Sequence, residues 1–141
     1  MEFKGYRRPD GRVGTRNYVG VLSTVVCANE VAERIAREVR GATAFLHHQG
    51  CGQMPTDIAR VSQTLIGLGQ NPNLASVLLV SLGCESVVVE EVAQAIAATG
   101  KRVEQLVIQE EGGAARSVAK GELLAQELVM EASVFSPDLC P

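Results

Sequence analysis

The chain has 141 residues, 46% of them apolar and 21% charged, with a formal net charge of −3. That size suffices for one domain with its own core, without disulfides or a structural metal, and the composition excludes a disordered chain. The longest apolar runs, such as SVLLVSLGC at 76–84, fall well short of the roughly 20 residues that span a bilayer, and scattered basic residues with two tyrosines and no tryptophan offer nucleic acid neither a basic stripe nor a stacking surface.

Residues 1–16 read as a polar leader. Its adjacent arginines are followed by no apolar stretch, so no secretory or twin-arginine signal is read and a cytoplasmic location is expected. Arg7, Arg8, Arg12 and Arg16 form one basic group, suited to a small anion or simply to solvent. NYVGVLSTVV (17–26) is rich in β-branched residues and predicts the first strand. In CANEVAERIAREVRG, Val31, Ile35 and Val39 recur at four-residue steps, with Ala32 and Ala36 widening the stripe and Gly41 as the stop.

The strand-then-helix unit repeats. TAFLHH predicts a second strand, and PTDIARVSQTLIGLG a helix with Ile58, Val61, Leu65 and Leu68 on one face and Thr56 or Asp57 as its cap. NPN at 71–73 breaks the chain before SVLLVSLG, the most apolar strand. ESVVVEEVAQAIAATG follows as a helix, with Val88, Val92 and Ile96 on one ridge and Val89, Ala93 and Ala97 on the next. RVEQLVIQ is the fourth strand and GGAARSVAKGELLAQELVMEAS the fourth helix, with Val118, Ala125, Leu128 and Ala132 in phase. Gly121 inside that helix costs about 1 kcal/mol relative to Ala, which predicts a close helix contact.

This alternation predicts a three-layer α/β fold: an open, Rossmann-like, mainly parallel sheet of at least four strands with helices on both faces. Residues 17–133 form the single α/β domain, and 134–141 a C-terminal tail. In such a sheet the ligand crevice lies beyond the carboxyl ends of the strands. Strand one runs into Cys27, strand two into HHQGCG (47–52), strand three into GCES with Cys84 and Glu85, and strand four into QEEGG with Gln109, Glu110 and Glu111. Three thiols, two imidazoles and three carboxylates are thus expected on one edge.

Each has a plainer reading. The cysteines, at 27, 51, 84 and 140 with no CxxC pair, are expected as thiols, and Cys27 or Cys84 would serve as a small buried hydrophobe. Glu110 and Glu111 complement a helix N-terminus. Gly50, Gly52, Gly112 and Gly113 suit tight turns, and His48 a surface. Taken jointly, thiolate, imidazole and carboxylate favour a borderline metal such as iron(II) or zinc, with manganese as a further alternative, over magnesium or calcium. The spacing matches no structural zinc motif. Without metal, Cys27, Cys51 or Cys84 could be a nucleophile assisted by His47, or the helix starts could hold phosphate; neither GxGxxG nor a Walker A sequence is present.

Together, GYRRPDGRVGTRN, Cys27, HHQGCG, LGCE and QEEGG resemble the sugar-acid dehydratases of the altronate and galactarate dehydratase family, which includes sulfolactate sulfo-lyase. The resemblance runs from about Gly5 to the last helix. It implies an iron(II)-dependent hydro-lyase acting on polyhydroxy acids, with site positions at His47, Cys51, Cys84, Glu85, Gln109 and Glu110. His48 falls outside the H-x-x-G-C-G pattern. Arg12 and Arg16 match the family's leader, which implies contact with a substrate carboxylate or, equally, a structural role at the start of the strand.

On this reading His47 or Glu110 is the base, and Cys51, Cys84 and Glu85 are metal ligands. Gln109 joins Arg12 and Arg16 in substrate binding, with Cys27, Gly112 and Gly113 in secondary roles. Family enzymes carry a small domain before this region and a longer one after it, with a CGGSD segment beyond the point where SPDLCP ends. A partner domain or subunit that completes the site is therefore expected beside the sugar-acid substrate, and self-association is left open. The alternative is a non-catalytic module that binds a small anion or serves as a scaffold.

Overall fold

The computed structural model describes residues 2–141. Seven strands are present among them: β1 (Phe3–Arg7), β2 (Val13–Gly14), β3 (Tyr18–Ser23), β4 (Ala42–Phe45), β5 (Leu74–Ser81), β6 (Val103–Val107) and β7 (Asp138–Cys140). The helices are α1 (Asn29–Glu38), α2 (Pro55–Gly69), α3 (Val89–Ala97) and α4 (Ala114–Ser133), and a 3-10 turn over Val26–Ala28 precedes α1. The main sheet is parallel with order β4-β3-β5-β6.

Both faces of that sheet are covered, which is why its strands read as continuous apolar runs. Val19 and Val21 of β3 and Leu78 and Val80 of β5 pack with α1 and α4. The alternate residues Leu22, Val77 and Leu79 pack with α2 and α3. The three-layer α/β expectation therefore holds, and the helical stripes of α1 and α4 are buried as their spacing predicts.

Three local expectations are corrected. The first strand ends at Ser23, three residues early, because Val26 opens the 3-10 turn. Met54, not Thr56 or Asp57, caps α2, because Pro55 lacks an N–H and suits the first helical position; both polar residues fall inside the first turn. Val88 lies before α3 and is 55% exposed, so the buried ridge begins at Val92.

The leader and the tail meet: β1 pairs antiparallel with β2 and with β7, forming a small second sheet in the order β2-β1-β7. It packs against the amino edge of the main sheet. The buried Arg8 donates through its guanidinium to Pro72 O at 2.7 Å, Asn17 Oδ1 at 2.9 Å and Arg16 O at 2.9 Å. Nearby, buried Lys101 closes the end of α2 by donating to Gly69 O at 2.9 Å and to Asn71 O. Burial, and then Arg8 and Arg12, pull its ammonium pKa down to about 8.

Gly121 is the close helix contact its position predicts. A Cβ there would lie 2.2 Å from Ile35 Cδ1, 2.8 Å from Ile35 Cγ1 and 3.3 Å from Leu106 Cδ2. Ile35 is fully buried and has nowhere to retreat. Gly121→Ala, favoured by helix propensity, is expected to lower stability by about 1–2 kcal/mol because overpacking outweighs that gain. Urea denaturation checks this; a stabilised variant would refute the packing argument.

Candidate functional site

In the order β4-β3-β5-β6 the chain passes from β3 outward to β4 and then returns to the other side of β3, so the direction of winding reverses between β3 and β5. A crevice opens at the carboxyl ends of those two strands, where doubly wound sheets place ligands. Each helix returns antiparallel to the strand before it, so the N-termini of all four helices face this edge and favour negative charge there.

The loops at this edge are stitched to one another. Thr24 Oγ1, after β3, donates to Glu85 Oε1, after β5, at 2.5 Å, and Gly83 N–H donates to Glu85 Oε2 at 2.7 Å. Val26 N–H donates to Gln49 O at 2.7 Å, and Ser86 N–H to Gly50 O at 2.9 Å. The HHQGCG loop is thereby tied to both neighbouring strand ends. Gly50 allows the close approach: its φ is +107°, and a Cβ would lie 2.8 Å from Val25 Cα and 2.9 Å from Thr24 O.

His47 is the most constrained member. Asn29, the first residue of α1, holds its backbone from both sides: His47 N–H donates to Asn29 Oδ1 at 2.9 Å and Asn29 Nδ2 donates to His47 O at 2.7 Å. Gln49 N–H donates to the ring Nδ1 at 2.9 Å. An Nδ1 that accepts leaves the ring proton on Nε2, so neutral His47 presents a donor outward. Burial first, then neighbouring His48, lowers its pKa and favours that neutral form. The two imidazoles stack with centroids 5.6 Å apart, and His48 lies exposed on the outer side.

The other expected members divide. Cys27 in the 3-10 turn, Cys51 and Cys84 are all exposed at this edge. Both oxygens of Glu85 are occupied internally, which makes it a brace between β3 and β5. Gln109 and Glu110 follow β6 and are exposed; the Gln109 amide lies over Gly83, where an added Cβ would meet Oε1 at 2.7 Å. Glu111 is ion-paired with Lys120. Gly112 and Gly113 make the positive-φ turn into α4.

Arg12 and Arg16 do not join them. They precede β3 and so lie at the amino edge, at the opposite end of the strands from the crevice. Arg12 donates to Asp10 Oδ2 at 2.8 Å and Gln70 O at 2.7 Å, and Arg16 to Thr15 O at 3.2 Å. In this chain their contacts are with the leader itself and with the end of α2.

The donor types at the crevice suit a borderline metal. Among the described residues, however, no three His, Cys, Asp or Glu side chains converge tightly enough to hold one ion. By themselves these residues do not fit a closed metal centre.

Sequence reasoning missed Thr24, Asn29 and Gln49, which position the site. Asn29 has a legible signal, a helix-start Asn beside the first strand end. Thr24 acts through a contact 61 residues away, and Gln49 through its backbone, to the His47 ring two residues before it and to Val26, which side-chain type does not display.

Residues 5–133 match the family model described as D-galactarate dehydratase/altronate hydrolase, second domain. The chain is 39% identical over 138 residues to the (2R)-sulfolactate sulfo-lyase subunit beta of Chromohalobacter salexigens, covering 98% of this chain and 35% of that protein. It is 38% identical over 94 residues to the altronate dehydratase of Bacillus subtilis and 35% identical over 95 residues to that of Escherichia coli. Each of those matches covers 60% of this chain and 19% of the relative. The chain thus spans about a third or less of the curated relatives it matches. No helix is long and apolar enough to cross a membrane among the described residues. With the fold, the stitched strand ends and the match over nearly its whole length, this chain belongs to the D-galactarate dehydratase/altronate hydrolase second-domain family.

Proposed function

We propose that the chain is the crevice-bearing part of a lyase that dehydrates a polyhydroxy acid, acting together with a further domain or subunit. The observation that carries this reading is the stitching of the β3, β4 and β5 ends around His47 in a chain of this family. A relative named as a beta subunit supports the need for a partner.

Elimination of water next to a carboxylate needs a base for the proton on the carbon beside it and a proton donor for the departing hydroxyl. His47 has Nδ1 occupied and its proton on Nε2, which suits it to donate to a substrate oxygen rather than to remove a proton. Glu110, exposed at the end of β6 with its carboxylate outside the internal hydrogen bonds of the described residues, is the assigned base. Glu85 and Thr24 hold the crevice open at its centre. Since no three donors converge among the described residues, a borderline metal, iron(II) first and zinc or manganese after it, would take a thiol from among Cys27, Cys51 and Cys84 together with donors from outside these residues. When bound, such an ion supplies Lewis-acid stabilisation of the developing negative charge.

The test is turnover of altronate, galactarate and sulfolactate by the protein assembled with its partner, alongside metal analysis. Glu110→Gln is expected to lower kcat about 100-fold or more, the usual scale of a lost general base. If Glu110→Gln and His47→Ala leave kcat unchanged while the assembled protein is active, the site is misassigned. Sugar-acid affinity without any turnover supports the binding-module alternative instead.

A further inference from the structure

With Arg12 and Arg16 on the far edge, the crevice has no assigned anchor for a substrate carboxylate. We infer that the anchor is Arg60, in a cavity between the HHQGCGQ loop and α2 that binds a small hydroxylated carboxylate. The inference rests on the lyase reading above and names substrate-recognition residues for it: the cavity shares His47 with the crevice, while Glu110 and the three exposed cysteines lie outside its lining.

The cavity has a volume of about 480 Å³, within the range of small-molecule sites. Leu46, Val61, Leu65 and Leu68 form an apolar wall, against which the carbon face of a sugar acid can lie. His47, Gln53, Asp57 and Arg60 supply the polar groups. Arg60 makes no ion pair among the described residues, whereas Arg8, Arg12 and Arg102 are committed to internal partners. A free guanidinium at the mouth of a cavity matches a carboxylate with two parallel N–H donors.

Gln53 gives an independent pointer. Its Oε1 is buried with no hydrogen-bond partner, although buried polar atoms are nearly always paired. A rotation of the Gln53 side chain toward the cavity would give this oxygen a ligand hydroxyl as its partner. His47 Nε2–H is a further donor to the cavity, and Asp57, one helical turn from Arg60 in α2, accepts from a hydroxyl close to the carboxylate. The set thus combines one cation for a carboxylate, acceptors for hydroxyls and a neutral donor. It fits a polyhydroxy monoacid or diacid; a nucleotide would meet the His47 and His48 rings but find no second free cation for its phosphate among the described lining residues.

The experiment is a titration of the 15N-labelled 141-residue chain with D-galactarate. Amide shifts are expected to concentrate in residues 46–68. Arg60→Leu is expected to weaken Kd about tenfold, about 1.4 kcal/mol, with Arg60→Lys recovering part of the loss. Gln53→Leu weakens it by a smaller factor, and Arg12→Leu leaves it unchanged. Shifts centred elsewhere, no binding, or an Arg60→Leu variant with native Kd would overturn the inference. Turnover in the assembled enzyme separates it from the lyase reading. An active enzyme whose KM is unmoved by Arg60→Leu removes the Arg60 site and leaves the lyase; galactarate held through Arg60 without turnover of any sugar acid does the reverse.

Discussion

Replacing Gly50 with Ala is expected to lower kcat of the assembled enzyme by about 100-fold and to destabilise the chain by about 2 kcal/mol or more. Two effects act together. A side chain at φ +107° is strained in its own right, and the new Cβ would sit 2.8 Å from Val25 Cα and 2.9 Å from Thr24 O, which are backbone atoms with no rotamer to change. The only relief is to lift the HHQGCG loop away from β3. That movement breaks Val26 N–H to Gln49 O and Ser86 N–H to Gly50 O, and it carries His47 with it. Misplacement of about 1 Å is enough to cost two orders of magnitude in rate. Urea denaturation and steady-state kinetics check both parts. A Gly50→Ala variant with native kcat would show that the stitched loop is not part of the reacting site.

Gly14→Ala tests the other edge. There the added Cβ would meet Pro72 O at 2.1 Å, Pro72 C at 2.5 Å and Asn73 N at 2.9 Å. This loop cannot drift away, because Pro72 O accepts from Arg8 Nε, and Asn73 Oδ1 accepts from the N–H groups of Thr15 and Arg16. The expected loss is about 3 kcal/mol, at the upper end of overpacking costs, and roughly 10 °C in Tm. Since this contact lies at the end of the strands remote from the crevice, kcat measured well below Tm should stay native. The pair of variants therefore separates the two edges: Gly50→Ala impairs both stability and rate, Gly14→Ala stability alone. A loss below about 0.5 kcal/mol for Gly14→Ala, the scale of an ordinary surface change, would mean that the small sheet yields freely.

Much of the fold was legible because its signals are local. The run PTDIARVSQTLIGLG predicts a helix whose bounds match α2, since Pro suits the first turn and the apolar residues repeat at helical spacing. The continuous apolar run of β5 announces a strand buried on both faces. Gly121 could be read as a packing position because glycine inside a long helix is costly without a neighbour to justify it. By contrast, nothing in the periodicity of residues 1–16 reveals that β1 pairs with β7, a partner more than 130 residues away.

The site divides along the same line. That Cys27, His47, Cys51, Cys84, Glu85 and Glu110 share one edge follows from the sequence alone, because parallel βαβ crossovers deliver every strand's carboxyl end to the same side. Which atoms are free to act was decided only in three dimensions. Glu85 has the charge of a metal ligand, and each of its oxygens already accepts one hydrogen bond, from Thr24 and Gly83. His47 has the chemistry of a base, but Gln49 N–H occupies Nδ1 and leaves the proton outward. Arg12 and Arg16 stand at the opposite end of the strands from the crevice, and Arg60, unremarkable on a helix, stands free beside a cavity. Residue type and strand order are written along the chain, whereas hydrogen-bond occupancy and distance depend on contacts between segments far apart in it, and those contacts set what each side chain has left to offer a ligand.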